Sequence, residues 1–135
     1  MLLLELNGNH FYYNRFAGAG VIPAWLEKLN REMHIQQNFC RGMESMSDIS
    51  GKSSAYLCRT YKRYFNMSPT EYINRIRMQY AASLFVSSDA GVIDIALEVG
   101  FENLSHFYKL FKQRYNITPR KYRMIGSLYP ESERF

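Results

Sequence analysis

The apolar positions of this chain follow a helical period from about residue 22 to 124, and no segment in that range alternates as a strand would. Pro23 suits the first position of a helix. The apolar residues after it predict a helix over about 23–34: Trp25, Leu26, Leu29 and Met33. A loop is predicted over 34–42. A short helix over about 42–49 follows, with two buried methionines, Met43 and Met46.

Two later amphipathic stretches repeat each other at an offset of fifty residues, 49–72 and 99–122. In each, a good N-cap residue precedes an apolar stripe, which predicts a helix. Ser53 is the predicted N-cap of the helix in the first stretch, and the predicted buried stripe of that helix is Tyr56, Leu57, Tyr61 and Phe65. Asn103 is the predicted N-cap of the helix in the second stretch, and the predicted stripe of that helix is Leu104, Phe107, Leu110 and Phe111.

The two stretches also end alike. Asn66 and Asn116 are predicted to close them, because Asn tolerates the left-handed conformation found at many helix ends. Ser68-Pro69 and Thr118-Pro119 then supply a cap and a first residue for the next helix. After the first stretch this next helix is long, about 17 residues and roughly 25 Å. After this long helix, a short helix is predicted over about 92–99, followed by a turn at Gly100.

The predicted fold is therefore all-α, with two helix-turn-helix modules joined by a long linker helix and an extra N-terminal helix. The predicted organisation has five parts: an N-terminal connector or sensor remnant over 1–40, a first module over 41–69, the linker over 70–86, a second module over 87–124 and a tail over 125–135.

Positive charge is concentrated in the two modules. The formal net charge is +5, and 12 of the 17 Lys and Arg residues lie in two windows, 52–77 and 109–123, which contain one acid, Glu71. The stretch between the windows carries four acids and no base. Two basic blocks at matching places in a repeat are typical of a surface that binds a polyanion.

A short helix, a tight turn and a second helix with a basic outer face form the arrangement in which the second helix enters the DNA major groove. In the first module we expect DNA contacts from Ser53, Ser54, Ala55, Cys58, Arg59 and Lys62. In the second module we expect them from Asn103, Ser105, His106, Tyr108, Lys109 and Lys112. His106 is marginal in this set, since it aligns with a residue predicted to be buried.

The side-chain types suggest separate roles. Arg59 can grip guanine through two hydrogen bonds, and Lys109 can donate to the same base edge less selectively. Lys62 and Lys112, one turn further on, are better placed for phosphate, where they would set register rather than read sequence. One turn of B-DNA is about 34 Å, so the linker could hold two reading helices over successive major-groove segments. Unlike outward residues in the two copies predict an asymmetric site with two different half-sites.

The residues themselves resemble a known family. Residues 95–123 are similar to the second helix-turn-helix of the AraC/XylS transcription factors, in these pieces: Ile95-Ala96, Gly100-Phe101, Ser105-His106-Phe107, Phe111-Lys112, Thr118-Pro119 and Tyr122-Arg123. Ser53, the run Tyr56 to Arg59, Lys62, Ser68-Pro69 and Tyr72 resemble the family's first module, and Arg77, Ala81 and Leu84 its linker helix. The resemblance covers about 42–124. Asn66 and Asn116 depart from the family's usual Gly, and Met46 and Ser50 replace the Ala and Gly of the second copy.

The resemblance implies several further properties. The chain would be the C-terminal part of a longer regulator whose small-molecule effector binds a domain absent from this sequence. Double-stranded DNA and RNA polymerase would be its partners. The segment IPAWLEKLNREM resembles the connector of regulators similar to that of the chitobiose operon. Apart from the resemblance, Arg77 is expected to pair with a nearby acid inside the bundle rather than to touch DNA.

Other functions fit the sequence less well. No phosphate loop, nucleophile elbow or zinc helix is present, so neither an enzyme nor a cofactor is expected. The cysteines and histidines share no metal-ligand spacing. The apolar start MLLLEL is too short to span a membrane, and a cytoplasmic, nucleoid-associated protein is expected. The alternative is a helical protein-interaction module that uses its basic faces on an acidic partner. RNA is disfavoured, because its deep, narrow major groove excludes recognition helices.

Overall fold

The computed structural model describes residues 20–128, and these are helical throughout apart from short connections. The helices are α1 (Ala24–Glu32), α2 (Gln36–Arg41), α3 (Met43–Ser50), α4 (Ser54–Phe65), α5 (Pro69–Ser87), α6 (Val92–Glu98), α7 (Leu104–Tyr115) and α8 (Pro119–Ser127). The packing divides the chain into two compact units, one ending at Arg75 and the other beginning at Ile76. The boundary falls inside α5. The predicted all-α class is confirmed. The interpretations of residues 1–19 and of the tail from 129 onward lie outside the described residues.

The first unit is built around α1 and α4. Its core is formed by the apolar faces of these helices with parts of α2, α3 and α5: Leu26, Leu29, Met33, Phe39, Met46, Leu57, Tyr61, Phe65, Tyr72 and Ile73. Within this core the hydroxyl of Tyr61 donates a 2.6 Å hydrogen bond to Oδ1 of Asn30, which is 2% exposed. Burial raises the pKa of Tyr61, so the hydroxyl keeps its proton and remains a donor. Through this bond α1 is an integral part of the unit that carries α4.

The predicted loop over 34–42 is wrong in part, since α2 occupies most of it. Its N-cap residue, Ile35, makes no side-chain cap bond. The helix is held instead by contacts with the rest of the unit. Phe39 is fully buried, and the Asn38 amide donates to the Glu32 carbonyl at 2.9 Å. Burial of an apolar side chain offsets the missing cap.

The second unit packs α6, α7 and α8 against the C-terminal part of α5. Aromatic rings dominate its core. Phe111 lies at its centre, with four other rings at centroid distances between 4.7 and 5.9 Å: Phe85, Phe107, Tyr115 and Tyr122. Close packing continues where α8 crosses α5, because a Cβ added to Gly126 would come within 2.9 Å of a Val86 methyl. The helix α8 also runs past residue 124, where the second module was predicted to end.

The helix ends of the two modules follow the predicted pattern. Ser53 accepts from the Tyr56 amide at 3.1 Å, and Asn103 accepts from the His106 amide at 3.0 Å. Asn66 and Asn116 close their helices in the left-handed region, with φ of 57° and 67°. Local side-chain chemistry thus begins and ends both second helices at equivalent positions.

The turns between the two helices of each module differ. In the first module α3 continues to Ser50, and Gly51 takes the positive φ of 73°. In the second, α6 ends at Glu98 and Gly100 has a φ of 99°. Each turn therefore uses the glycine that its own sequence offers, one aligned position apart. The substitution of Ser50 for glycine is accommodated by this shift.

Two predicted stripes need correction. Tyr56 was predicted to be buried, but it is 41% exposed, because its position faces the edge of the stripe rather than the core. Leu104, Leu110 and Met43 are only half-buried. The remaining predicted positions of the two stripes are buried: Leu57, Tyr61 and Phe65 in α4, and Phe107 and Phe111 in α7.

Candidate nucleic-acid interface

The outward face of α4 carries the residues that the sequence analysis assigned to DNA. Leu57, Tyr61 and Phe65 anchor the opposite face in the core of the first unit. All six predicted contact residues are exposed: Ser53, Ser54, Ala55, Cys58, Arg59 and Lys62. They lie along one exposed side of α4. Small residues near the N-terminal end of the helix allow a partner to approach its backbone closely, and the cations lie further along the helix.

The N-terminal half of α4 also carries a cluster that the sequence analysis missed. The ammonium of Lys52 lies 5.1 Å from the ring centroid of Trp25 and 5.0 Å from that of Tyr56. The two rings are 6.1 Å apart. On α4 itself, the Arg59 guanidinium lies 5.9 Å from the Tyr56 ring. The alignment of Tyr56 with the polar His106 was the one sequence signal that this position faces outward.

The outward face of α7 is also exposed at every predicted position: Asn103, Ser105, His106, Tyr108, Lys109 and Lys112. Five residues line a shallow surface depression there: Ser105, Tyr108, Lys109, Lys112 and Gln113. Four of these were expected, and Gln113 was not. Its spacing of one turn from Lys109 was a signal that could have identified it. An amide beside two ammonium groups adds a hydrogen-bonding side chain that is both donor and acceptor.

His106 occupies the boundary between the core and the outer face of α7. Its ring lies 5.7 Å from that of the buried Phe101, in an edge-on arrangement, while the residue as a whole is exposed. The exposure expected of this marginal position is confirmed. His106 therefore combines a contact with the core and an exposed surface on the outer face of α7.

Not every cation of the two basic windows belongs to an outer face. Arg123 turns back onto the end of α5, donating to the carbonyl oxygens of Phe85, Ser88 and Ala90 at 3.0, 3.3 and 2.5 Å. Arg77 lies over the Phe101 ring at 5.3 Å, and its expected pairing with an acid stays a prediction. The surface available to a polyanion is therefore made mainly by the remaining bases of α4, α7 and their flanks.

The charge at the start of the two outward helices differs. Lys52 precedes the N-cap of α4, and the aligned residue before the N-cap of α7 is Glu102. A helix N-terminus has positive character and favours a phosphate. Lys52 strengthens that preference, whereas Glu102 opposes it. The two faces share a frame but present different electrostatics to an anionic backbone.

Comparison with known proteins agrees with this geometry. A family model described as a helix-turn-helix domain matches residues 46–125. The HTH-type transcriptional regulator MtrA of Neisseria gonorrhoeae is 32% identical over 114 residues, which cover 80% of this chain and 37% of that protein. The "Probable transcription factor PqrA" of Proteus vulgaris is 31% identical over 107 residues, covering 79% of this chain and 84% of the relative.

A solved structure shows the same fold. The structure of a probable AraC family transcriptional regulator from Rhodopseudomonas palustris CGA009 superposes with a TM-score of 0.66 at 22% identity, covering 77% of this chain and 98% of that one. These helices and faces define a helix-turn-helix DNA-binding protein. More specifically, the chain belongs to the AraC/XylS family of transcriptional regulators. Sequence-specific DNA binding is the activity of the helix-turn-helix domain that the chain shares with these regulators.

The chain spans about a third of the length of the first curated relatives, 33% of a regulator of Haemophilus influenzae and 37% of MtrA. Among the helices of residues 20–128, none has the length and apolar character that a membrane span requires. Within the same residues, no three histidine, cysteine or acidic side chains come together as a group that could hold a metal ion.

Proposed function

We propose that α4 and α7 each enter a major-groove segment of one DNA duplex and read two different half-sites. The observation that supports this is the pair of exposed faces on a repeated frame. The caps, the buried stripes and the closing asparagines match, while the outward residues do not. Ala55, Cys58 and Arg59 are replaced by Ser105, Tyr108 and Lys109. Equal frames with unlike faces fit an asymmetric operator better than a palindrome.

In this proposal Arg59 reads a guanine and Lys109 reads a base edge in the second half-site. Lys62 and Lys112, each near the C-terminal end of its helix, contact phosphates and set register. Ser53, Ser54 and Asn103 approach the backbone at the helix starts. Ala55, Ser105, His106 and Tyr108 line the groove side of their helices, and Cys58 does so beside Arg59.

The proposal extends to partners of the intact regulator. We propose that it binds a small-molecule effector outside this chain, acts by binding rather than by catalysis, and works in the cytoplasm at the nucleoid.

RNA polymerase is the proposed protein partner of the regulator, through α6. This helix exposes Ile93 and Leu97 by 59% and 57% beside Asp94 and Glu98. An α6 variant, Ile93→Ser/Leu97→Ser, should lower activated transcription while leaving operator affinity unchanged. Equal losses in both would place α6 in the DNA interface instead.

Selection from a random DNA pool tests the two half-sites. A reader with about 6–10 phosphate contacts should lose roughly 10³–10⁵ in affinity between about 50 and 200 mM salt. It should also enrich one asymmetric motif. Enrichment of no motif at any salt, with tight binding to an acidic protein, would favour the interaction-module alternative.

Two matched variants then assign the helices. Arg59→Ala and Lys109→Ala should each relax specificity at one base pair by about 1–3 kcal/mol. The two positions should lie about ten base pairs apart. Lys62→Ala serves as the control, because loss of a phosphate contact weakens all sequences alike. If Arg59→Ala and Lys109→Ala altered the same base pair, the two-half-site proposal would be refuted.

A further inference from the structure

Tyr56 is an exposed aromatic residue at the centre of the cluster on α4. Trp25 of α1 and the cations Lys52 and Arg59 all lie against it, and Arg59 stands on the next turn of α4. It is not one of the buried core residues of the first unit, since 41% of the residue is exposed. The cluster therefore needs an explanation other than packing of the fold.

The order of contacts gives that explanation. Lys52 lies about equally far from the two rings, so its ammonium holds Trp25 and Tyr56 together by cation–π attraction. Tyr56 is thereby fixed from the side of α1. The Arg59 guanidinium in turn lies over the fixed ring. A planar guanidinium stacks well on an aromatic face, and a stacked arginine has less rotational freedom to lose when it forms a bidentate hydrogen bond.

We propose that Trp25, Lys52 and Tyr56 form a positioning group that holds Arg59 ready for base recognition before DNA binds. The inference rests on the proposed role of Arg59 as a base reader. Tyr56 is the positioning residue, and Trp25 and Lys52 act through it. The first turn of α1 is consequently connected to the base-reading side chain of α4 by three successive side-chain contacts.

The second module has no equivalent group for Lys109. Glu102 aligns with Lys52, and His106 aligns with Tyr56. Near this position a cation–π contact joins Arg77 of α5 to the buried Phe101, on which His106 also packs. In this module α5 supplies a cation, Arg77, whereas in the first module α1 supplies an aromatic ring, Trp25. Because these contacts end at His106, we expect selectivity at the α7 half-site to be independent of them.

The first test needs no DNA. The Nε–Hε group of Arg59 can be observed by NMR relaxation in the free protein. Tyr56→Leu should lower its order parameter toward that of a freely rotating arginine, and Tyr56→Phe, which retains the ring, should leave it near the wild-type value. Arg63, an exposed arginine near the C-terminal end of α4, is the internal reference and should not change. An Arg59 equally mobile in wild type and in Tyr56→Leu would overturn the proposal.

The second test measures base discrimination. Tyr56→Leu should reduce the preference at the base pair assigned to Arg59 by about two- to fivefold, the range expected for an exposed cation–π contact. Tyr56→Phe should restore it. In an Arg59→Ala background Tyr56→Leu should have no further effect, because both changes act on one contact. The base pair assigned to Lys109 is the matched control and should keep its preference.

The outcomes separate this inference from the function on which it rests. Wild-type protein that enriches no DNA motif would refute the proposed reading of half-sites, while the NMR comparison would still decide whether Tyr56 positions Arg59. A motif that is enriched, but read equally well by Tyr56→Leu, would overturn the positioning role alone. So would a loss of discrimination spread over both half-sites. Trp25→Leu, checked for an unchanged unfolding transition, should repeat the effect of Tyr56→Leu.

Discussion

Tyr61 and Phe111 occupy the same place in two copies of one frame, but they are held in different ways. Tyr61 packs against the rings of Phe65 and Tyr72 and is also anchored to α1 by its hydrogen bond to Asn30. Phe111 has no hydroxyl and packs against aromatic rings from α5, α7 and α8. Both residues are fully buried. The two modules share their helix caps, the positions of their buried stripes and their closing asparagines. The side chains that pack against the buried faces of α4 and α7 differ between the two cores.

The largest expected effect is a loss of stability in the second unit when the hydrogen bonds of Arg123 are removed. Arg123→Met removes three hydrogen bonds from a guanidinium to one carbonyl group in the last turn of α5 and two that follow the helix. The free energy of unfolding of the second unit should fall by about 3 kcal/mol, because hydrogen bonds to charged groups are strong and the carbonyls lose their partner. Urea unfolding followed by far-UV circular dichroism measures the change.

The only tryptophan of the chain, Trp25, lies in the first unit and provides the internal comparison for this prediction. Its fluorescence transition should move less than the dichroism transition. Arg120→Met, at an exposed position on α8, is the control and should leave both unchanged. Equal shifts in the two signals would mean that the units do not unfold separately.

The next largest effect is expected when each of the two equivalent residues is replaced by the type found in the other module. Tyr61→Phe leaves the buried Asn30 oxygen without its donor, and Phe111→Tyr places a hydroxyl among aromatic rings. Each should lower the free energy of unfolding by about 1–3 kcal/mol, the cost of an unsatisfied buried polar group. Trp25 fluorescence should report the first change and dichroism the second. Adding Asn30→Leu to Tyr61→Phe should recover part of the loss, and a variant with no cost would show that the bond is dispensable.

A smaller effect concerns the charge difference at the starts of α4 and α7. Glu102→Lys should raise DNA affinity several-fold and increase the salt dependence by about one phosphate contact, because it gives α7 the flank that Lys52 gives α4. Binding titrations at several salt concentrations measure both quantities. Asp89→Lys makes the same change of net charge at another exposed position of the second unit. Equal gains from both variants would indicate a general charge effect rather than a contact at the helix start.

The smallest effect is a pH dependence restricted to the first unit. Burial lowers the pKa of His34 from its ordinary 6.5, so the folded chain favours the neutral imidazole and the unfolded chain binds the proton more readily. Stability should therefore fall as the pH drops below about 6.5, by less than about 1.4 kcal/mol per pH unit. His34→Gln should flatten this slope in the Trp25 fluorescence transition. An unchanged slope would assign the acid sensitivity to other groups.

The local features of the repeat could be predicted from the sequence. Ser53, Asn103, Asn66 and Asn116 act on backbone groups within a few residues of themselves, so their chemistry can be recognised without knowledge of the fold. The exposure of the outward residues followed from the stripes that bury the opposite faces. Their contact with DNA stays a prediction.

The features that sequence reasoning missed depend on distant partners. The helix α2 lacks a capping side chain and is stabilised by the burial of Phe39. Tyr56 lies at a stripe position by spacing, but its environment is set by Trp25 of α1, and α2 and α3 lie between α1 and α4 in the chain. Arg123 reaches carbonyl groups 33 to 38 residues earlier in the chain. None of these contacts leaves a periodic signal.

The separation of the outward faces from the buried stripes has a consequence for how such a protein can change over generations. Exposed substitutions generally alter stability by less than about 0.5 kcal/mol, so new side chains on α7 can be sampled at little cost to the fold. One half of an operator can then diverge while the other is retained. The face of α4 has less of this freedom, since Tyr56 connects it to Lys52 and Trp25. Under this arrangement the second half-site is the one that a lineage can revise first.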